Sequence, residues 1–268
     1  MSGTLYVVAT PIGNLEDLTH RALRVLGEAD LIACEDTRHS RILLAHYGIQ
    51  RPLLSYHRHN EAARGAQILE RLAAGQNVAL ISDAGAPLLA DPGARLVREA
   101  LDAGLPVIPV PGASAAITAL MASATEPPVL LLGFLPARAS ERRRALQDWA
   151  PLPASLLLYE APHRLLAALA DMAELLGRER PLVVARELTK RFEQVLRGTV
   201  ASAQAHFQAH PPKGEFTLIL GPGPMSPVPA EPAGPMTRDE LKAWARAQGL
   251  SRSQAYRRWQ QLQGRIKG

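Results

Sequence analysis

The 268 residues carry 30 Lys or Arg against 25 Asp or Glu, a formal net charge of +5, and 47% are hydrophobic, which is chain enough for one large or two ordinary domains with cores of their own. A single cysteine, Cys34, excludes an intrachain disulfide and a cysteine-built zinc site. No apolar run approaches the roughly 18 residues of a membrane span and the N-terminal stretch has no basic-then-apolar signal pattern, so a cytoplasmic protein is expected.

The first expected strand, Leu5 to Ala9, runs into the turn Thr10-Pro11-Ile12-Gly13-Asn14, and Thr19 opens a helix that ends near Leu26-Gly27. Neither G-x-G-x-x-G nor G-x-x-x-x-G-K-[ST] occurs in the chain. A ligand held at this turn therefore needs no phosphate cradle. A strand Leu31 to Cys34 leads into Glu35-Asp36-Thr37-Arg38-His39, where Asp36 or Thr37 caps the next helix and Arg38 either pairs with a neighbouring acid or faces substrate. Leu53 to Ser55 is followed by Tyr56-His57-Arg58-His59-Asn60-Glu61, with Asn60 as the expected cap of a helix to Leu72. Two histidines beside one glutamate, with no further ligand pair at motif spacing, fit an RNA-contacting loop better than a metal site.

Val78 to Ile81 reads as a buried parallel strand that ends abruptly in SDAGAPLLADPG, residues 82–93. Asp91 as cap and Pro92 in the first helical position would start a helix that runs to Asp102 and is closed by Gly104. The connection is longer than the usual two to six residues, and open α/β sheets bind ligands at such strand ends. Val107 to Val110 runs into Pro111-Gly112-Ala113-Ser114, where backbone can approach a ligand closely and Ser114 is either a helix cap or a ligand contact. Thr125-Glu126-Pro127-Pro128 reads as a domain boundary.

The second half again alternates strands and helices: strands at 129–134, 155–160, 182–185, 192–198 and 215–220, and helices at 140–149, 162–176 and from about Val200. Charged residues collect at its strand ends, in Tyr159-Glu160-Ala161-Pro162-His163-Arg164 and in Arg186-Glu187-Leu188-Thr189-Lys190. Arg142, Arg143 and Arg144 stand in succession and cannot share one helical face. Gly221 to Pro235 holds six prolines and reads as a semi-rigid linker. Residues 236–268 carry eight Lys or Arg against two Asp or Glu, leaving the preceding 235 residues at a net of −1. Their pattern predicts two capped helices, about 238–248 and 252–263, joined through Gly249-Leu250-Ser251 like a helix-turn-helix, with Arg252, Arg257 and Arg258 on the second. A near-neutral body with a basic module suits an enzyme acting on a polyanion.

Taken in order, LYVVATPIGNLEDLT, EDTRHSRILL, SDAGAPLLADPG, PVPGASAAITAL, GFLPARASERRRAL, YEAPHRLL, ARELTKRFEQVLRGT and KGEF resemble the bacterial small-subunit ribosomal RNA ribose 2′-O-methyltransferases, a group within the tetrapyrrole-methylase class. The resemblance runs in one register from about Gly3 to Leu220. It implies an α/β protein with two domains, 1–124 and 125–221, and a cofactor cleft between them. The Pro-rich linker, 222–235, and the basic helical tail, 236–268, follow. It implies S-adenosylmethionine as cofactor, a homodimer, and as acceptor the 2′-hydroxyl of a decoding-centre cytidine in the 16S RNA of the small ribosomal subunit; no metal ligands are assigned.

By position, cofactor contacts are expected from Pro11, Ile12, Gly13, Asp83, Ala84, Gly85, Ala86, Leu88, Leu89, Ala113 and Ser114, with Tyr159, Ala185 and Glu215 on the other wall. Position 86 is more usually threonine in the family, so a side-chain hydrogen bond is missing at Ala86. Among Glu160, Glu187 and Lys190, the expected catalytic pair is Glu160, as proton acceptor, and Lys190. Arg38, His57, Arg142, Arg164, Arg186, Arg252, Arg257 and Arg258 are expected to meet RNA, with a core-side ion pair as an equal alternative for Arg164, Arg186 and Lys190. Two other readings stay open: a methyltransferase of the same class acting on a tetrapyrrole precursor, and a DNA-binding regulator whose α/β body senses a ligand.

Overall fold

The computed structural model describes residues 2–149, 151–223, 237–247, 254–257 and 259. They fall into two units. One is the chain up to Gly221 apart from Pro151–Pro153; the other joins Pro151–Pro153 to the residues from Pro222 onward.

In the larger unit, β1 (Leu5–Val8), β2 (Leu31–Cys34), β3 (Leu53–Ser55), β4 (Val78–Ile81) and β5 (Val107–Val110) form a parallel sheet in the order β3-β2-β4-β1-β5. All four residues of β2 and of β4 are buried, as strands covered on both faces require. Ile32, Cys34, Ala79 and Ile81 pack against α1 (His20–Glu28) and α2 (Thr37–His46). The alternate residues Leu31, Ala33, Val78 and Leu80 pack against α3 (Glu61–Ala73) and α4 (Ala94–Asp102). Thr19 and Asp36 cap α1 and α2, their side chains accepting the N–H of Ala22 and Arg38.

Two expected caps are corrected. Asn60 precedes α3 but caps nothing: its Oδ1 accepts the His57 N–H at 2.8 Å and its amide donates to the Ser55 carbonyl, closing the 55–60 turn on itself. Asp91 and Pro92 do not start α4. Gly93 does, at φ 130°, with its N–H donated to Glu61 Oε1, and a β-carbon there would stand 2.7 Å from Leu80 Cδ2. The loop therefore continues across the end of β4, and Asp91 stays in it.

The second sheet contains β6 (Val129–Phe134), β7 (Ser155–Glu160), β8 (Pro181–Arg186), β9 (Gln194–Thr199) and β10 (Phe216–Leu220) in the order β6-β7-β10-β8-β9. Only β6 and β7 are parallel. Residues 187–193 are too few for a parallel crossover, so β9 returns antiparallel to β8. On one face Leu156, Leu158, Val184 and Leu218 pack with Leu146 of α6 (Ala139–Trp149), Leu165 and Leu169 of α7 (Pro162–Leu176) and Phe207 of α8 (Val200–Ala209). The other face receives α5 (Ala115–Ser123): Ala116 and Ala119 lie in one apolar layer with Leu157, Ala185 and Ile219, and Ile12 of the first turn joins them. The helix that follows the first sheet thus packs on the second.

Arg142, expected to meet RNA, is 5% exposed, with Nε 2.7 Å from Asp171 Oδ2, and Arg143 reaches Asp171 Oδ1 at 3.0 Å. Burying a guanidinium is tolerable only with such a partner, so Arg142 serves the α6–α7 contact and is not an RNA ligand.

The smaller unit contains α9 (Arg238–Ala247). Its capping box is complete: Thr237 Oγ1 accepts the Glu240 N–H and the Glu240 carboxylate accepts the Thr237 N–H at 2.7 Å. Leu241, Trp244, Ala245 and Ala255 form a small core with Trp259 against it. Residues 254–257 are helical and Arg257 is exposed. The expected turn at Gly249 and Ser251, together with Arg252, Arg258 and residues 224–235 of the linker, lies outside the described residues. Among the described residues no helix is long and apolar enough to cross a membrane.

Candidate active site

A cavity of about 340 Å³ opens at the carboxyl ends of the first-sheet strands and of β6 and β7. Its size is that of a small-molecule site. One wall comes from Ile12, the stretch 83–86, the stretch 89–91, and Ser114-Ala115; the other from Phe134, the stretch 159–162, and the stretch 215–217.

The first wall is rigid for identifiable reasons. Thr10 and Gly85 exchange backbone hydrogen bonds at 2.9 and 3.1 Å, Thr10 Oγ1 donates to the Ser82 carbonyl, and Ser82 Oγ donates to the Gly85 carbonyl. Gly85 takes φ 83°, and a β-carbon there would come within 3.1 Å of Ile12 Cγ2. Leu88 also sits in the left-handed region, at φ 79°. A side chain held there marks a conformation imposed by its surroundings. Asp83 Oδ1 accepts the Asp36 N–H at 3.1 Å, and Arg58 donates to the Ala90 carbonyl at 2.7 Å. Arg58, from the segment expected to face RNA, thus props the cavity loop.

The cavity is acidic. Asp83, Asp91, Glu160 and Glu215 line it, and among the described residues none of its lining side chains is a lysine or arginine. Burial pushes the Asp91 carboxyl up from its ordinary pKa, and the Asp83 charge adds to the effect. The Glu35 carboxyl is raised too, by burial first and then by the Asp91 and Asp83 charges. Glu160, the last residue of β7, is 2% exposed. Its Oε1 accepts the Ala161 N–H at 2.9 Å and lies 3.2 Å from Arg164 Nε, whereas its buried Oε2 has no hydrogen-bond partner among the described residues. Ser114 stands at the N-cap of α5 without capping it, and its buried Oγ is likewise unpartnered. Both residues line the cavity, and an orphaned buried polar atom in each is costly.

Of the expected cofactor contacts, Ile12, Asp83, Ala84, Gly85, Ala86, Leu89, Ser114, Tyr159 and Glu215 line the cavity. Pro11, Gly13, Leu88, Ala113 and Ala185 do not: Ala185 is in the apolar layer under α5, and Gly13 lies beneath Lys190. Lys190, expected beside Glu160 in the chemistry, is not on the wall. Its Nζ is 3.0 Å from Glu187 Oε1 and 3.1 Å from Glu215 Oε2. Burial opposes its charge, but these two carboxylates outweigh burial and raise its pKa, so it holds Glu215 in place and is no proton acceptor in this arrangement.

Arg164 is committed as well. It donates to the carbonyls of Leu135 and Pro136 and pairs with Glu160, which is the ion-pair alternative and not the RNA contact. Arg38 is exposed but bound to Asp36 at 2.8 Å, and Asp36 is held at a pKa of about 2 by that guanidinium and the Arg38 N–H. Arg186 Nε donates to the Lys213 carbonyl at 2.6 Å, and His57 stacks edge-on to His59 with its Nδ1 buried and unpartnered. Phe134, Asp91, Ala161, Pro162, Phe216 and Thr217 line the cavity without having been singled out as contacts. For Phe134 the signal was the glycine before it, at a strand end.

Residues 4–204 match the family described as Tetrapyrrole (Corrin/Porphyrin) Methylases. The Ribosomal RNA small subunit methyltransferase I of Synechocystis sp. is 48% identical over 256 residues, covering 95% of this chain and 91% of its own. The protein of the same name from Pseudomonas aeruginosa is 54% identical over 195 residues, 72% of this chain and 69% of its own. Among solved structures, uroporphyrin-III C-methyltransferase from Thermus thermophilus complexed with S-adenosyl homocysteine superposes with a TM-score of 0.57 at 20% identity, over 82% of this chain and 97% of that one. Diphthine synthase superposes at 0.62 with 14% identity, over 82% and 90%. The two structures share the fold. With the family match over most of its length, the chain belongs to the tetrapyrrole (corrin/porphyrin) methylase family and is by that membership a methyltransferase.

Proposed function

We propose that the protein methylates the ribose 2′-hydroxyl of a decoding-centre cytidine in small-subunit 16S ribosomal RNA, with S-adenosylmethionine as donor. The observation that carries this reading is the 48% identity over 95% of the chain to a relative named for the ribosomal small subunit. The cavity supports it chemically. A cationic, phosphate-free cofactor suits a pocket lined by four carboxylates and by Ser114, and Gly85 leaves backbone exposed where a side chain would intrude. Bound there, S-adenosylmethionine supplies a methyl group on an electron-poor sulfonium.

The chain's own residues orient and deprotonate the acceptor. Asp83 and Ser114 hold the polar parts of the cofactor, and Ile12, Leu89 and Ala115 exclude water. Glu160 Oε2, buried and unpartnered, takes the proton of the incoming hydroxyl, while Arg164 fixes the carboxylate through Oε1. Positioning supplies much of the remaining acceleration. The relatives named for the ribosomal small subunit favour RNA over the tetrapyrrole precursor of the alternative reading. The same reading includes domains at 1–124 and 125–221, the basic tail and Arg186 as RNA contacts, and a cytoplasmic homodimer. Ile117 and Met121, exposed one turn apart on α5, are suited to a second copy.

The deciding experiment is transfer of labelled methyl from S-adenosylmethionine to unmethylated small subunits, followed by nucleoside mass spectrometry. A single 2′-O-methylcytidine is expected. Cofactor binding without transfer to the subunit or its naked RNA would refute the substrate and redirect the search to small-molecule acceptors.

A further inference from the structure

An aromatic side chain at the mouth of the cavity is unused by the chemistry above. Phe134 is 54% exposed and yet lines the cavity, whereas the larger core apolar side chains of the same sheet are buried. Its position follows from a backbone device. Leu131 pairs with Leu157, but Gly133 pairs with Leu158 and Phe134 with Tyr159, so Leu132 is an extra residue in β6. Gly133 takes φ 70° at this bulge. A bulge of this kind re-aims the residue that follows. Here it sets Phe134 beside Tyr159, with ring centroids 5.5 Å apart and planes tilted by 53°. Tyr159 lines the cavity too, and the next residue is Glu160 with its free carboxylate oxygen.

We propose that Phe134, braced by Tyr159, is the stacking platform for the nucleobase of the nucleotide being methylated, and so a residue that determines substrate recognition. The proposal rests on the RNA-ribose reading above. A ribose hydroxyl can reach Glu160 only if its nucleotide leaves its helical stack, and that unstacking is unfavourable. An exposed aromatic face lining the same cavity as Glu160 offsets that cost, as aromatic side chains do for splayed bases in single-stranded RNA recognition. Arg164 links the two functions. It bonds the Leu135 and Pro136 carbonyls directly after Phe134 and pairs with Glu160, which keeps the platform and the acceptor in fixed relation.

The test compares the full-length protein with Phe134→Leu, Phe134→Ala and Phe134→Trp. Three quantities are read: steady-state transfer to unmethylated small subunits, S-adenosylmethionine affinity by calorimetry, and fluorescence of a short RNA with pyrrolocytidine at the target position. Leu and Ala should lower kcat/KM about ten- to a hundredfold, mainly through KM, with cofactor affinity unchanged. Trp should restore most of that loss, because what is required is a π face and not merely apolar bulk. Wild type should quench the pyrrolocytidine and Leu should not. Wild-type kcat/KM in Phe134→Leu would overturn the proposal, since any apolar cover then suffices. A fall in cofactor affinity matching the fall in kcat/KM would also overturn it and assign the ring to the cofactor. Absence of transfer by wild type would instead refute the substrate reading on which it rests.

Discussion

The side chain of Lys190 lies across Gly13 so closely that a β-carbon on residue 13 would stand 2.3 Å from Lys190 Cγ and 3.0 Å from its Cε. The first turn of the parallel sheet and the loop after β8 of the mixed sheet therefore interlock, and the ammonium beyond that contact ties Glu187 to Glu215 on the cavity wall. Gly13→Ala should displace Lys190, loosen Glu215 and weaken cofactor affinity. Lys190→Ala alone should cost less, and adding it to Gly13→Ala should recover part of the loss because the clash is gone. Calorimetric titration of the double-mutant cycle measures that coupling; additive losses would show that the two residues act separately.

Removing the proton acceptor while keeping the shape of the site isolates its chemistry. Glu160→Gln should lower kcat by about 10²–10⁴-fold with cofactor affinity retained. Single-turnover methyl transfer at saturating cofactor reads this directly, and an undiminished rate would exclude Glu160 as the base.

Asp91 is held at a raised pKa by burial and by Asp83, so its ionised form weighs against the fold. The sign follows from linkage: below the unfolded value of about 3.9 both states are protonated and nothing is lost, and the penalty grows as pH rises from there to the folded-state pKa and is complete above it. Asp91→Asn should therefore raise Tm at pH 7 and leave it unchanged near pH 3, while weakening cofactor binding. Thermal unfolding at the two pH values checks this; a lower Tm at pH 7 would mean that its hydrogen bonding outweighs its burial.

The Arg142–Asp171 pair should behave asymmetrically. Asp171→Ala leaves a guanidinium that is 5% exposed without its carboxylate and should destabilise the protein by about 3–5 kcal/mol. Replacing both members with apolar residues of similar volume should cost much less. Urea denaturation of the single and double variants distinguishes the two outcomes.

Truncation after Gly223 removes the basic tail. Cofactor affinity should be unchanged and subunit binding weaker, with a shallower slope of log K against log salt, by about 0.7–0.9 for each phosphate that the tail no longer neutralises. Equal slopes would show that the tail does not touch RNA, and loss of cofactor binding would favour the regulator reading.

The strands and most helix starts were legible because their causes are local: an unbroken apolar run in Leu31–Cys34, side-chain caps at Thr19 and Asp36, proline at the start of α7. Residues 82–93 stood out for the same reason, since their length and composition depart from an ordinary connection, and they supply most of the first wall of the cavity. Asp91 misled because a cap and a cavity carboxylate have the same local sequence, and only the approach of Leu80 to Gly93 moves the helix start onward. Arg142 misled more. In sequence Arg142, Arg143 and Arg144 are equivalent basic residues, and only the approach of Asp171, 29 positions on, buries the first of them.

Fold class, family and the loops that line the cavity follow from periodicity, turn chemistry and ordered motifs. Which charges are free to act depends on packing. It buried Arg142 against Asp171, tied Lys190 to two carboxylates, left Glu160 Oε2 and Ser114 Oγ unpartnered, and turned Phe134 toward the cavity through one extra residue in β6. Whether a side chain is a ligand or a brace depends on desolvation and on partners distant in the chain, and those exist only once the two sheets have packed.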